Sequence, residues 1–139
     1  MTDPFKLQRF VTAQAPVMAQ VLAELRDGRK RSHWMWFVFP QIAGLGRSDL
    51  ARRYAIASRE EAQAYLAHAV LGPRLRHCAA LVLRVEGRSA EEIFGHPDDL
   101  KFHSSMTLFG RVVAQETVFG DALRKYFGGE EDAATLERL

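Results

Sequence analysis

The sequence predicts an all-α fold, a compact and irregular array of about eight short helices in a single domain. Three observations carry this. Apolar residues recur at spacings of three and four along most of the chain. Serines and aspartates stand at N-cap positions ahead of these runs, and glycine or proline closes them. No two segments with strand character lie where they would pair. The connections are short and the helix lengths uneven, which suits an array of helix pairs better than a four-helix bundle.

Asp3-Pro4 reads as a helix start, with aspartate as N-cap and proline in the first turn, and Phe5, Leu7, Phe10 and Val11 at helical spacing. Pro16 ends or kinks this helix. Val17, Val21, Leu22 and Leu25 mark a second helix that stops at Asp27-Gly28. Ser32 is the predicted N-cap of a short helix through Phe39, ended by Pro40. Its ring-rich composition also suits a strand, but a lone strand has no partner. Ser48 caps a helix from Asp49 to about Ala57. Ser58 and Glu61 have capping-box spacing for a helix to His68. Leu71-Gly72-Pro73 opens a helix to about Val85, and Ser89 with Glu92 forms a second box. Asp98 or Asp99 starts the longest late helix, with Phe102, Met106, Phe109 and Val113 as its apolar stripe. Val118 to Phe127 is a further helix. The acidic tail from about residue 129 is expected to be mobile or to end in one short helix.

The stretch Arg29–Ser48, RKRSHWMWFVFPQIAGLGRS, holds both tryptophans, with Phe37 and Phe39 directly after. Large rings dominate core energetics, so the other helices are expected to pack around it. At 139 residues the chain is one domain, burying roughly two thirds of its unfolded surface. Hydrophobic residues make up 47% and charged residues 26%, which excludes wholesale disorder. No apolar run reaches the ~18–20 residues of a membrane span, and MTDPFKLQRF lacks a signal-peptide core. One cysteine, Cys78, excludes an internal disulfide. The expected location is the cytoplasm. The net charge of +2 is too balanced to indicate nucleic acid by itself.

Two segments are candidates for chemistry. In the first, Arg29, Lys30, Arg31 and His33 gather at the start of the Ser32 helix. Free N–H groups there, with these cations, suit a phosphate or carboxylate. Trp34 or Trp36 offers a face for a base or a cation, Gln41 a polar contact, and the GLG loop close backbone approach. Core packing is the competing role for the rings. In the second, DDLKFHSSMT, Lys101, Ser104, Ser105 and Leu108 share one helix face. Hydroxyls in mid-helix are poor helix formers. They therefore serve close packing and bonds back to carbonyls, or line a polar pocket with Lys101, which would suit base or nucleophile chemistry if it is buried. No serine-nucleophile elbow, HExxH or CxxC is present. His96, Asp98, Asp99 and His103 could meet around a metal, but capping and surface roles explain them, and no metal or cofactor is expected. Cys78 lies on an apolar face and reads as core.

The blocks RKRSHWMWFVFPQIAGLGRS, RRYAIASREEAQAYLAH, LGPRL and IFGHPDDLKFHSSMTLF, with the closing TL, resemble a bacterial family, domain-of-unknown-function family 1810. The resemblance spans DPFKLQRFV to DAATL, and departs at Ala69, where the family pattern has proline after His68. It implies a compact all-α fold and no established activity. Some members carry the label "calpastatin", a disordered eukaryotic inhibitor, which this composition does not fit.

The leading expectation is a small-molecule binding protein or enzyme acting on a phosphorylated or nucleotide-like ligand, held between the SHWMWF and DDLKFHSSM segments. Lys30 and Lys101 would hold anionic groups, and Trp34 or Trp36 would stack a ring. His33 and Lys101 are the catalytic candidates, with Gln41, Ser104 and Ser105 orienting the ligand. The alternative is a non-catalytic protein-interaction module. The third reading is a nucleic-acid binder using Arg29–Arg31, Arg52-Arg53 and Arg74/Arg76. The sequence says nothing of oligomeric state.

Overall fold

A computed structural model describes residues 2–113 and 118–139. Among the described residues ten helices run in order: α1 Gln8–Gln14, α2 Met18–Arg26, α3 Met35–Val38, α4 Asp49–Arg53, α5 Arg59–Ala67, α6 Leu71–Arg84, α7 Ala90–Phe94, α8 Asp98–Val112, α9 Val118–Phe127 and α10 Ala133–Glu137. The two longest, α6 and α8, form the frame. Helices α5 and α9 each pack against both, α2 covers α6, and α7 and α10 cover α8. Among the described residues no strand forms, and one isolated parallel bridge joins Ile42 to Ile56.

Local capping explains several starts. Ser48 accepts the Ala51 N–H and Ser58 the Glu61 N–H, while Ser89 and Glu92 close a full capping box ahead of α7. The Ser58 box is only half made. Glu61 turns instead to the Ala57 N–H at 3.0 Å and to Arg9 at 2.9 Å, tying α5 to α1.

Three helices begin or end away from the predicted residues. The first starts at Gln8, because Lys6 takes a left-handed φ of 55° that breaks the turn after Pro4. Asp3 still caps, accepting the N–H groups of Leu7 and Gln8 at 2.8 and 2.9 Å. Ser32 does not cap α3, since its hydroxyl is donated to Glu24 and Trp34 takes the N-cap position. Helix α4 ends at Arg53, after which Tyr54 turns inward and Ile56 joins the bridge.

The core is built on rings, as expected, though the aromatic stretch divides. Trp34 and Phe39 are 1% and 0% exposed, whereas Trp36 and Phe37 are half-buried. Phe39 meets Phe94 and Phe102 edge-on at 5.9 and 5.1 Å, and Phe94 stacks on Phe102 at 4.7 Å. These are favoured ring geometries.

The hydroxyl row of α8 has a packing role. Ser104 and Thr107 donate back to the carbonyls of Leu100 and His103. Ser104 also donates to Asp132, whose N–H donates to Thr107 Oγ1 at 2.9 Å. Asp132 caps α10 through the N–H and hydroxyl of Thr135. His103 stacks on Phe127 at 4.0 Å and reaches the Glu130 carbonyl, while Arg111 grips Glu131 with two hydrogen bonds. These contacts dock the tail, with its short helix α10, against α8. Asp132→Ala should cost roughly 2 kcal/mol, for a lost cap and an unpaired Thr135 hydroxyl, while Ser104 keeps the Leu100 carbonyl. Hydrogen exchange of the α10 amides should accelerate in step, and unchanged protection would contradict the latch.

Candidate functional site

Glycine at position 28 sets the path into the site. It closes α2 at φ 72°, and a Cβ there would stand 3.0 Å from the Val85 side chain. The chain then crosses to α7, where the Lys30 N–H donates to the Ile93 carbonyl at 2.7 Å. This contact fixes where Arg29 and Lys30 emerge.

The two candidate segments do meet. Lys30 Nζ lies 2.8 Å from Asp98 Oδ2, and Lys101 Nζ lies 3.3 Å from Asp98 Oδ1. Each ammonium also sits over an indole, Lys30 over Trp34 at 5.2 Å and Lys101 over Trp36 at 5.1 Å. One carboxylate therefore joins two lysines from distant parts of the chain, each backed by a tryptophan. Asp98 was legible as a helix start, but its bridging role was not.

The anion site predicted at the start of the Ser32 helix is filled from within. Glu24, 0% exposed, aims its carboxylate into that cage of donors. Oε1 accepts the N–H groups of Arg31 and Ser32 and the indole N–H of Trp34, at 2.9, 3.1 and 2.9 Å. Oε2 accepts the Ser32 hydroxyl at 2.6 Å and the Gln20 amide at 2.7 Å. Burial alone would push this carboxyl up, but the hydrogen bonds from Ser32, the Arg31 N–H, Gln20 and Trp34 overturn that and hold it at about 2. Neither backbone N–H of residues 31 and 32 is left for a ligand. Helix α3, a single turn, adds little dipole of its own.

The other candidates fall as follows. Trp34 is sealed in the core with its N–H spent on Glu24, so of the two tryptophans Trp36 keeps an accessible ring. His33 is exposed, and Gln41 is half-buried and tied through its carbonyl to the Ile56 N–H. Neither makes a side-chain hydrogen bond among the described residues. Ser104 faces Asp132 rather than the lysines. The Ser105 hydroxyl is fully buried and has no hydrogen-bond partner among the described residues. Burial pushes the Cys78 thiol up to about 12, consistent with an inert core cysteine. His96 pairs with Asp99 at 3.0 Å. Among the described residues no three His, Cys, Asp or Glu side chains converge to hold a metal, and no helix is long and apolar enough to cross a membrane.

Lys30 also borders a cleft of about 650 Å³, lined by Arg29, Gly87, Arg88, Glu91, Glu92 and the end of α7. The run at Arg29 pointed toward it, but nothing local marked Arg88 or Glu91 as its neighbours.

A family model described as "Protein of unknown function (DUF1810)" matches residues 4–139. The crystal structure of the conserved hypothetical protein Rv1873 from Mycobacterium tuberculosis is similar along nearly its whole length. It shares 63% identity, covers 99% of this chain and 98% of that one, and superposes with a TM-score of 0.98. No curated protein matches the chain.

Proposed function

The chain belongs to the DUF1810 family, and from that premise we propose that it binds a phosphorylated or nucleotide-like small molecule beside the first turn of α8. The observation that supports this is the convergence of Lys30 and Lys101 on Asp98, each ammonium over a tryptophan, at the margin of an open cleft. A carboxylate shared by two lysines holds both in place, and an incoming anion would compete with it for their donors. Lys30 and Lys101 would grip the anionic groups, and the half-buried ring of Trp36 would stack a base. His33 and Gln41 would offer polar contacts. Ser104 and Ser105 are buried, so in this reading they act only through the position of α8. If the ligand is turned over, proton transfer would fall to exposed His33, with Lys101 as the second group.

A thermal-shift series with nucleotides and sugar phosphates tests this. A ligand at 100 times its Kd stabilises by about 2.7 kcal/mol, which moves the midpoint by several degrees. The shift is expected in the wild type and lost in Lys101→Ala and Trp36→Ala. No shift from any compound would overturn the reading in favour of the interaction module.

A further inference from the structure

The cleft beside Lys30 is not a uniformly basic site. Its lining includes Arg29 and Arg88, and α7 contributes Glu91 and Glu92. Arg29 is exposed, and its guanidinium makes no hydrogen bond or ion pair among the described residues. Arg88 is anchored by one nitrogen, Nη1, on the Gly28 carbonyl at 3.1 Å, which leaves the rest of its fork unspent. Lys30 is already matched by Asp98. On the acidic side, Glu92 is engaged by the Ser89 N–H at 2.8 Å, whereas exposed Glu91 has no side-chain partner among the described residues.

Among the described residues the uncommitted groups are thus the Arg29 guanidinium, the remainder of the Arg88 fork and the Glu91 carboxylate. The volume of about 650 Å³ suits a small metabolite. The rim is open at Gly87 and Gly95, where no atom lies within 4 Å of an added Cβ. Buried Ile93 and Phe94 form the floor.

We infer that this cleft takes a small zwitterion, a phosphate ester that also carries an amine. Arg29 and Arg88 hold its phosphate, and Glu91 holds its ammonium. The inference rests on the anion-binding reading above and adds the groups that choose among anions. A bare phosphate gains the arginines but meets the glutamates as like charges, whereas a phosphorylated amine satisfies both sides.

Titration calorimetry with O-phosphoethanolamine and ethyl phosphate, which share the phosphate and differ in the amine, tests it. Phosphoethanolamine should bind the wild type at least about tenfold tighter. Glu91→Gln should bring the two probes within about twofold, and Arg29→Ala and Arg88→Ala should each weaken both by about tenfold or more. Arg29 and Glu91 carry no side-chain hydrogen bonds among the described residues, so their variants should fold normally. If Arg88→Ala lowers the melting midpoint, Arg88→Lys keeps the charge and tests the fork. Equal affinity for the two probes, no binding of either, or affinities untouched by the arginine changes would overturn the inference.

The broader reading fails differently. Nucleotide shifts that vanish in Lys101→Ala and Trp36→Ala but survive in Arg29→Ala and Arg88→Ala overturn the cleft alone. Arginine-dependent phosphoethanolamine binding, with no shift from any nucleotide or sugar phosphate, supports the cleft and overturns the lysine–tryptophan site.

Discussion

Replacing Glu24 by alanine should destabilise the fold by about 3–5 kcal/mol, the usual cost of stripping one partner from a buried charged network. The carboxylate receives five hydrogen bonds, from two backbone N–H groups, a hydroxyl, an amide and an indole. Alanine satisfies none of them and leaves the Trp34 N–H buried without an acceptor. A loss of this size is a large share of the ~5–15 kcal/mol available to a domain. It also unfastens the segment that delivers Lys30 and Trp36 to the site. Glu24→Gln keeps the shape but turns an NH2 group toward donors, so it too should be clearly destabilised.

The same carboxylate predicts a pH dependence. Its folded value of about 2 lies below the ordinary 4.5. The stability it contributes is therefore present above about pH 4.5 and lost as pH falls toward 2. Urea denaturation of the wild type and Glu24→Gln across that window isolates the effect from other carboxylates, such as Asp3 and Glu131, that are also held low. The gap between the two proteins should narrow as the pH falls. A constant gap would show that Glu24 is not held as an anion.

Phe102→Ala should cost a similar amount, about 3–5 kcal/mol, by the transfer and cavity terms of a large buried ring. Phe102 is 0% exposed and touches Phe39, Phe94, Tyr126 and Phe127, so it joins the aromatic segment, α7 and α9 through one side chain. Phe102→Leu keeps most of the volume and should cost markedly less. Denaturant midpoints should fall in that order with an unchanged slope. A loss below about 1 kcal/mol for the alanine variant would mean that the ring cluster relaxes to fill the space.

The candidate site was legible in part. Lys30, Lys101 and Trp36 stand out in the sequence, and the structure brings them around Asp98. Trp34 was equally conspicuous but lies in the core, since a ring pattern alone does not say which faces are covered. Glu24 gave one faint signal, a charge beside Val21 and Leu25 on the apolar face of α2, and it carried no hint of which donors would reach it. Ser104 was read as a candidate for orienting a ligand, yet its hydroxyl is taken by Asp132 of the tail.

The sequence by itself determined the helical class, most helix positions, the Ser48, Ser58 and Ser89 caps and the ring-built core. These follow from interactions within a few residues, where spacing along the chain is spacing in space. Only the tertiary structure decided that Glu24 occupies the expected anion site, that Asp98 couples Lys30 to Lys101, that Arg29, Arg88 and Glu91 line one cleft, and that Asp132 fastens the tail to α8. Each of these depends on which charged or polar group reaches a set of donors first. That is settled by how the helices pack, and local periodicity holds no record of it.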